Sequence, residues 1–119
     1  PALTRAELIQ KKVQEVGFDW QESDGVLDKI EEEIKELRVA IKSAKISDIE
    51  EEIGDMLFSL VNLSRFMKLN SAETILQKNS DKFARRFQAI EQIIESENKK
   101  FENYSPQELD LLWQRVKKI

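Results

Sequence analysis

Eight carboxylates crowd two short stretches of this chain: Glu31, Glu32, Glu33 and Glu36 in the first, and Glu50, Glu51, Glu52 and Asp55 in the second. The informative pairs are Glu33/Glu36 and Glu52/Asp55. Each pair is spaced i, i+3, which on a helix puts both side chains on the same side. Carboxylates drawn to one point repel, and the repulsion grows as water is excluded. A bound cation removes that cost. Mg²⁺ suits such a site because it takes a few carboxylates and keeps coordination positions for water and phosphate. Mn²⁺ is the other oxygen-loving candidate. One E-x-x-E pair alone is most often a solvated helix face. Two pairs at matching offsets, one of them opening a strongly apolar segment, make a stronger case for a metal.

Helices must position these groups, and the chain marks where helices begin. Thr4 with Glu7, Ser47 with Glu50 and Asn70 with Glu73 fit capping-box spacing. Ser105 is followed by Pro106 and Glu108, another helix-start pattern. A further start falls near Ser23 or Asp24. The expectation is an all-α chain of about five helices, roughly 4–16, 24–44, 48–68, 71–97 and 106–118. Leu27, Ile30, Ile34, Leu37 and Ile41 form one apolar stripe; Ile49, Ile53, Met56, Leu60, Leu63 and Met67 form another. The helix bearing the second stripe adds Leu57, Phe58, Val61 and Phe66, so it is apolar on most sides and should be central. In so small a protein this predicts an antiparallel bundle completed by a second copy.

At about 100° per residue, Glu33 and Glu52 lie roughly 60–80° from the centres of their stripes, and Glu36 and Asp55 roughly 120–140°, on the same rotational side. The short Ser43–Ser47 connection should make the two helices antiparallel neighbours. Glu36 and Asp55 would then stand at similar heights, about 12–14 Å from the turn by the helical rise. Four carboxylates could therefore meet.

Other residues could serve a polyanionic ligand. Lys78, Lys82 and Arg86 recur every four residues, with Arg85 adjacent, and make a basic ridge; arginine grips phosphate bidentately and lysine acts as a point charge. Ion pairing with nearby glutamates is the ordinary alternative, and Lys29, four residues before Glu33, has the same two readings. Phe18, Trp20 and Trp113 offer flat surfaces for a base, or simply core packing; Trp113 and Lys117 share a face at i, i+4. Asn62, in the middle of an apolar helix, needs hydrogen-bond partners, which could be a base, a sugar or a carboxylate.

Composition narrows the chemistry. The chain of 119 residues fits one domain, 1–119. With 40% hydrophobic and 35% charged residues it should fold, and only three glycines and two prolines favour long helices. It has neither cysteine nor histidine, which excludes disulfides, thiolate zinc sites, Ser–His catalysis and histidine-ligated iron. Any metal must be held by oxygen. The net charge of −4 gives no general attraction for nucleic acid or an anionic membrane. The longest apolar-rich run, Met56 to Leu63, is too short to span a bilayer, and no signal-peptide pattern opens the chain. A cytoplasmic location is the default expectation. The chain begins at Pro1, so an upstream segment is to be considered.

At the acidic residues the sequence closely resembles the MazG family of nucleotide pyrophosphohydrolases, part of the all-α NTP pyrophosphatase superfamily. The family signature, E-E-x-x-E followed by E-x-x-D on the next helix, reads here as Glu32-Glu33-Ile34-Lys35-Glu36 and Glu52-Ile53-Gly54-Asp55, the latter preceded by Glu51. The likeness continues through Val16–Trp20, Leu57-Phe58, Val61–Leu63, Lys82-Phe83 with Arg85–Phe87, and Trp113 with Lys117. More narrowly, it resembles the C-terminal, catalytic half of the tandem MazG proteins. One departure is Ser80, where an asparagine is expected before Lys82-Phe83.

The resemblance implies Mg²⁺ ligation by Glu33, Glu36, Glu52 and Asp55, with Glu32 and Glu51 as supporting acids. It implies nucleotide or phosphate contacts from Lys29, Lys82, Arg86, Trp113 and Lys117. It further implies hydrolysis of NTPs or dNTPs to the monophosphate and pyrophosphate, in a homodimer or dimer of dimers. The expected mechanism is in-line attack by a metal-activated water, with Glu33 or Glu36 taking its proton. Lys82 and Arg86 would steady the leaving pyrophosphate. A narrower dUTP- or dCTP-directed pyrophosphatase and a non-catalytic helical interaction module are the alternatives.

Overall fold

The computed structural model describes residues 1–119 and contains helices and no strand. The helices are α1 (Ala2–Glu15), α2 (Ser23–Ser43), α3 (Ile46–Phe66), α4 (Ala72–Ser96) and α5 (Pro106–Val116), with a 3₁₀ turn at Phe101–Asn103 before α5. The expected five-helix, all-α architecture is borne out.

The caps correct part of the sequence reading. Ser105 and Glu108 form the reciprocal box foreseen at α5, with Glu108 N–H donating to Ser105 Oγ and Ser105 N–H to Glu108 Oε1. The other three boxes are absent. α1 begins at Ala2 and α3 at Ile46, which puts Thr4 and Ser47 inside the first turn, and neither start has a side-chain cap. At α4 the capping oxygen comes from Ser71, which accepts from Thr74 N–H, rather than from Asn70. First-turn N–H groups have no helical partner in any case, so water can satisfy them when a helix begins a residue or two early.

Helix ends are equally specific. After α1, Gly17 N–H bonds the Gln14 carbonyl and Phe18 N–H reaches back to Val13 O, with Gly17 in the left-handed region at φ 88°. This Schellman ending favours glycine, because a side chain is strained there. Lys68 after α3 and Asn98 after α4 adopt the same conformation at φ 56° and 54°.

The chain divides into two compact units, Pro1–Ile75 and Leu76–Ile119. In the first, α3 packs against both α2 and α1, the central position its apolar content called for. Ala44, left-handed at φ 57°, and Lys45 make the whole link between α2 and α3, so α3 must fold straight back along α2. Val26, Ala40 and Val61 are buried here. In the second unit, Ile90 and Ile94 of α4 meet Leu112 and Val116 of α5, with Ile93, Tyr104 and Leu109 packed around them.

Candidate metal and nucleotide site

The hairpin of α2 and α3 sets one turn of each helix side by side, and three carboxylates converge there. Glu33, Glu36 and Glu52 each offer an oxygen within 4.8 Å of the others. Glu33 is almost wholly buried, at 2% exposure, Glu52 is half-buried and Glu36 is exposed. Asp55, one turn further along α3, is exposed and stands outside this cluster. Three of the four expected ligands are thus brought together. Of the supporting acids, Glu32 faces Lys29 at 3.8 Å. Glu51 lines a surface cleft of about 460 Å³ that also includes Glu36, Glu52 and Lys35.

Lys29 Nζ lies 3.1 Å from Glu33 Oε1, an i, i+4 ion pair that puts one positive charge on the cluster. It does not neutralise three carboxylates. Burial opposes ionisation of Glu33, but hydrogen bonds from Lys29, Glu52 and Glu36 hold it below the ordinary glutamate value. Partial burial, with Glu33 and Glu36 alongside, pushes Glu52 up to about 7. Below about pH 7 Glu52 therefore keeps a proton, which a divalent cation would displace. Oε2 of Glu33 and Oε2 of Glu52 are buried without any hydrogen-bond donor. Two orphaned carboxylate oxygens beside a third carboxylate are a donor set that fits Mg²⁺ or Mn²⁺.

A second feature of this unit lies further along α3, where α1 and the Val16–Glu22 connection cover it. A cleft of about 400 Å³ is walled by Ile9, Val13, Phe18, Trp20 and Phe58, with Gln10, Asn62, Asp19 and Arg65 as polar and charged lining. Phe18 is 79% and Trp20 41% exposed, so neither is simply core. The Trp20 ring sits over Gly25, where an added Cβ would come within 2.9 Å of Trp20 Cε3. The Asn62 side-chain oxygen is satisfied by Arg65, which sequence reasoning missed. Arg65 Nε and Nη2 donate to Asn62 Oδ1 at 3.0 and 2.8 Å, Nη2 also to Asp19 Oδ1 at 2.6 Å, and Nη1 to Gln14 Oε1 at 3.0 Å. Arg65 in turn holds the Asp19 carboxyl below its usual range, mainly through that hydrogen bond. An arginine three residues after Asn62, inside an apolar helix, was the available signal.

The remaining predicted contacts lie in the second unit. Arg86 Nη2 donates to the Lys117 carbonyl at 2.7 Å, and its guanidinium stands 5.9 Å from the Trp113 ring centroid. Trp113 also packs on Phe83, with ring centroids 5.2 Å apart. Arg86, Trp113 and Lys117 are therefore neighbours. No carboxylate stands within salt-bridge distance of Lys78, Lys82, Arg85 or Arg86, so the ion-paired reading of this ridge finds no support. Ser80 is exposed on α4.

Comparison with known proteins says to which class this all-α chain, with its acidic centre on a helical hairpin, belongs. Residues 21–90 match the MazG nucleotide pyrophosphohydrolase domain, and the chain belongs to the MazG family. It is 44% identical over 117 residues to the nucleoside triphosphate pyrophosphohydrolase/pyrophosphatase MazG of Thermotoga maritima, covering 98% of this chain and 44% of that protein. It is 40% identical over 120 residues to the nucleoside triphosphate pyrophosphohydrolase of Escherichia coli K12, covering 99% of this chain and 45% of that protein. A shorter match, 39% over 70 residues, is to the uncharacterized protein YabN of Bacillus subtilis, covering 59% of this chain and 14% of that one. The chain spans less than half the length of the first two relatives. No helix is long and apolar enough to cross a membrane.

Proposed function

We propose that this chain hydrolyses nucleoside triphosphates, NTP or dNTP, between the α- and β-phosphates, releasing the monophosphate and pyrophosphate. The observation that carries the reading is the meeting of Glu33, Glu36 and Glu52 on α2 and α3, within the segment that matches the MazG domain. Glu33, Glu36 and Glu52 would hold Mg²⁺, with Asp55 completing the set by a side-chain rotation from its exposed position. When bound, Mg²⁺ would supply charge neutralisation on the phosphate oxygens and make a water acidic enough to attack. Glu33, held ionised beside Lys29, would serve as a ligand, and either Glu33 or Glu36 would be the group placed to accept a proton. Lys82 and Arg86, cations of the second unit without carboxylate partners, are proposed as phosphate-binding groups. The proposed reaction is a direct, in-line attack by water, with no covalent intermediate.

We further propose that the chain works as a homodimer. Leu27, Ile34, Ile41, Ile53, Leu57 and Leu60 on α2 and α3 are 39–56% exposed, an apolar surface of the kind that pairs with another protein surface.

The test is incubation with each of the eight common nucleotides, and with dUTP, in the presence of Mg²⁺, identifying products by chromatography. Monophosphate plus pyrophosphate is expected, and the same panel separates a broad preference from a dUTP- or dCTP-directed one. Glu36→Ala should lower turnover by about a thousandfold or more. Wild-type rates in that variant, or products cut between the β- and γ-phosphates, would contradict the proposal.

A further inference from the structure

We infer that Lys29 is a positioning residue that sets which divalent cation the acidic centre prefers. By holding one oxygen of Glu33, it leaves the other as a single ligand atom and so favours Mg²⁺ over Ca²⁺. The inference rests on the metal reading above.

The sequence leaves Lys29 two roles, phosphate contact or ion pairing, and the geometry commits it to the second. Its Nζ lies 3.1 Å from Glu33 Oε1 and 3.8 Å from Glu32 Oε1, so two acidic side chains hold the ammonium. The contact with Glu33 is not an ordinary helix-surface pair. A glutamate four residues before its lysine is the favoured order, yet the pair in that order, Glu7 with Lys11, stands 3.8 Å apart. Lys29 precedes Glu33, which is the weaker order, and still approaches more closely. What differs is the carboxylate. The Glu33 side chain is 3% exposed, and a charge so buried needs a counter-ion.

The two oxygens of Glu33 are therefore unlike. Oε1 has the ammonium, whereas Oε2 is buried with no hydrogen-bond donor. An unpaired buried acceptor is costly, and a cation held among Glu33, Glu36 and Glu52 removes that cost. Oε1 cannot join Oε2 on the ion without giving up Lys29. Glu33 thus ligates through one atom. No cation stands within salt-bridge distance of Glu36 or Glu52, so Glu33 is the member of the cluster restrained in this way.

A single oxygen per carboxylate suits one hard cation better than the other. Mg²⁺ demands a small, near-octahedral shell and keeps several waters, so single glutamate oxygens are enough. Ca²⁺ takes a larger and looser shell and gains from carboxylates that bind through both oxygens. The terminal torsion of a glutamate is soft. Without Lys29, Glu33 would be free to turn both oxygens to the ion.

Calorimetric competition between Mg²⁺ and Ca²⁺ in the full chain, wild type against Lys29→Met, tests the inference. Loss of a positive charge beside the site strengthens both dications alike, so the ratio of their dissociation constants isolates the hold on Oε1. The preference for Mg²⁺ should fall by about tenfold in Lys29→Met. Lys29→Arg keeps the charge and an N–H donor, and it should keep the wild-type ratio. An unchanged ratio in Lys29→Met, or a fall as large in Lys29→Arg, would overturn the role of Lys29 and leave the metal centre standing. A wild-type chain that binds neither ion would defeat the metal centre and the inference with it.

Discussion

Glu52 holds a proton up to about pH 7 because it is partly desolvated and has Glu33 and Glu36 beside it. Its folded value lies above the unfolded one, so its contribution to stability is fully present below about pH 4.5 and is lost as pH rises through about 7. Glu33 shifts the other way, and its contribution is lost only as pH falls through its lowered value, below this window. The metal-free protein should therefore melt at a lower temperature at about pH 8 than at about pH 5.5, and saturating Mg²⁺ should erase much of that difference. Thermal melts at the two pH values, with and without Mg²⁺, check both parts; a melting temperature that ignores both would count against a preformed acidic site. At this scale the acidic centre was largely legible. The i, i+3 spacing identified Glu33 with Glu36, and the hairpin brought Glu52 to them. It could not foresee that Asp55 would stand clear, since a side chain's direction depends on local packing as well as helical phase. Arg65 was less visible. Its partners Asp19 and Gln14 are 46 and 51 residues away, and no periodicity encodes such a contact.

Among the elements, α5 is the short one at 11 residues, and short helices depend most on their ends. Its capping box satisfies two backbone N–H groups that no helical bond reaches. Glu108 sits below its ordinary value chiefly through its bond from the Ser105 backbone. Ser105→Ala should cost about 1 kcal/mol, visible in urea denaturation as an earlier midpoint with an unchanged slope. An unshifted midpoint would show that the cap contributes nothing to folding. Helix existence and order could be read from stripes and glycine scarcity, because burial of a periodic apolar face is a strong, additive signal. Exact starts could not. Three of four box-like spacings went unused, since an exposed helix end trades a side-chain cap for water at little cost. The box at Ser105 differs in having Pro106 beside it, which fixes φ and halts any earlier start.

For the whole molecule, the apolar faces on α2 and α3 matter most. Leu57 and Leu60 are 51% and 48% exposed in the single chain, although they lie on the helix most central to its unit. Sequence reasoning anticipated a second copy from this excess of apolar residues, and the proposed homodimer would cover them. Leu57→Lys should place a charge in that contact and shift the sedimenting species from dimer to monomer at micromolar concentration. A wild-type chain that sediments as a monomer throughout would refute the dimer. The division into two compact units was not legible, because helix periodicity reports which faces are buried and not which helices share a core.

All of the proposed chemistry rests on three glutamates that take up a divalent cation. Calorimetric titration of Mg²⁺ into the full chain, compared with Glu33→Gln and Glu52→Gln, tests this directly. Saturable binding should weaken by about tenfold or more in each variant, with Mn²⁺ competing for the same site. Binding that is absent in the wild type, or equally strong in both variants, would contradict the metal centre.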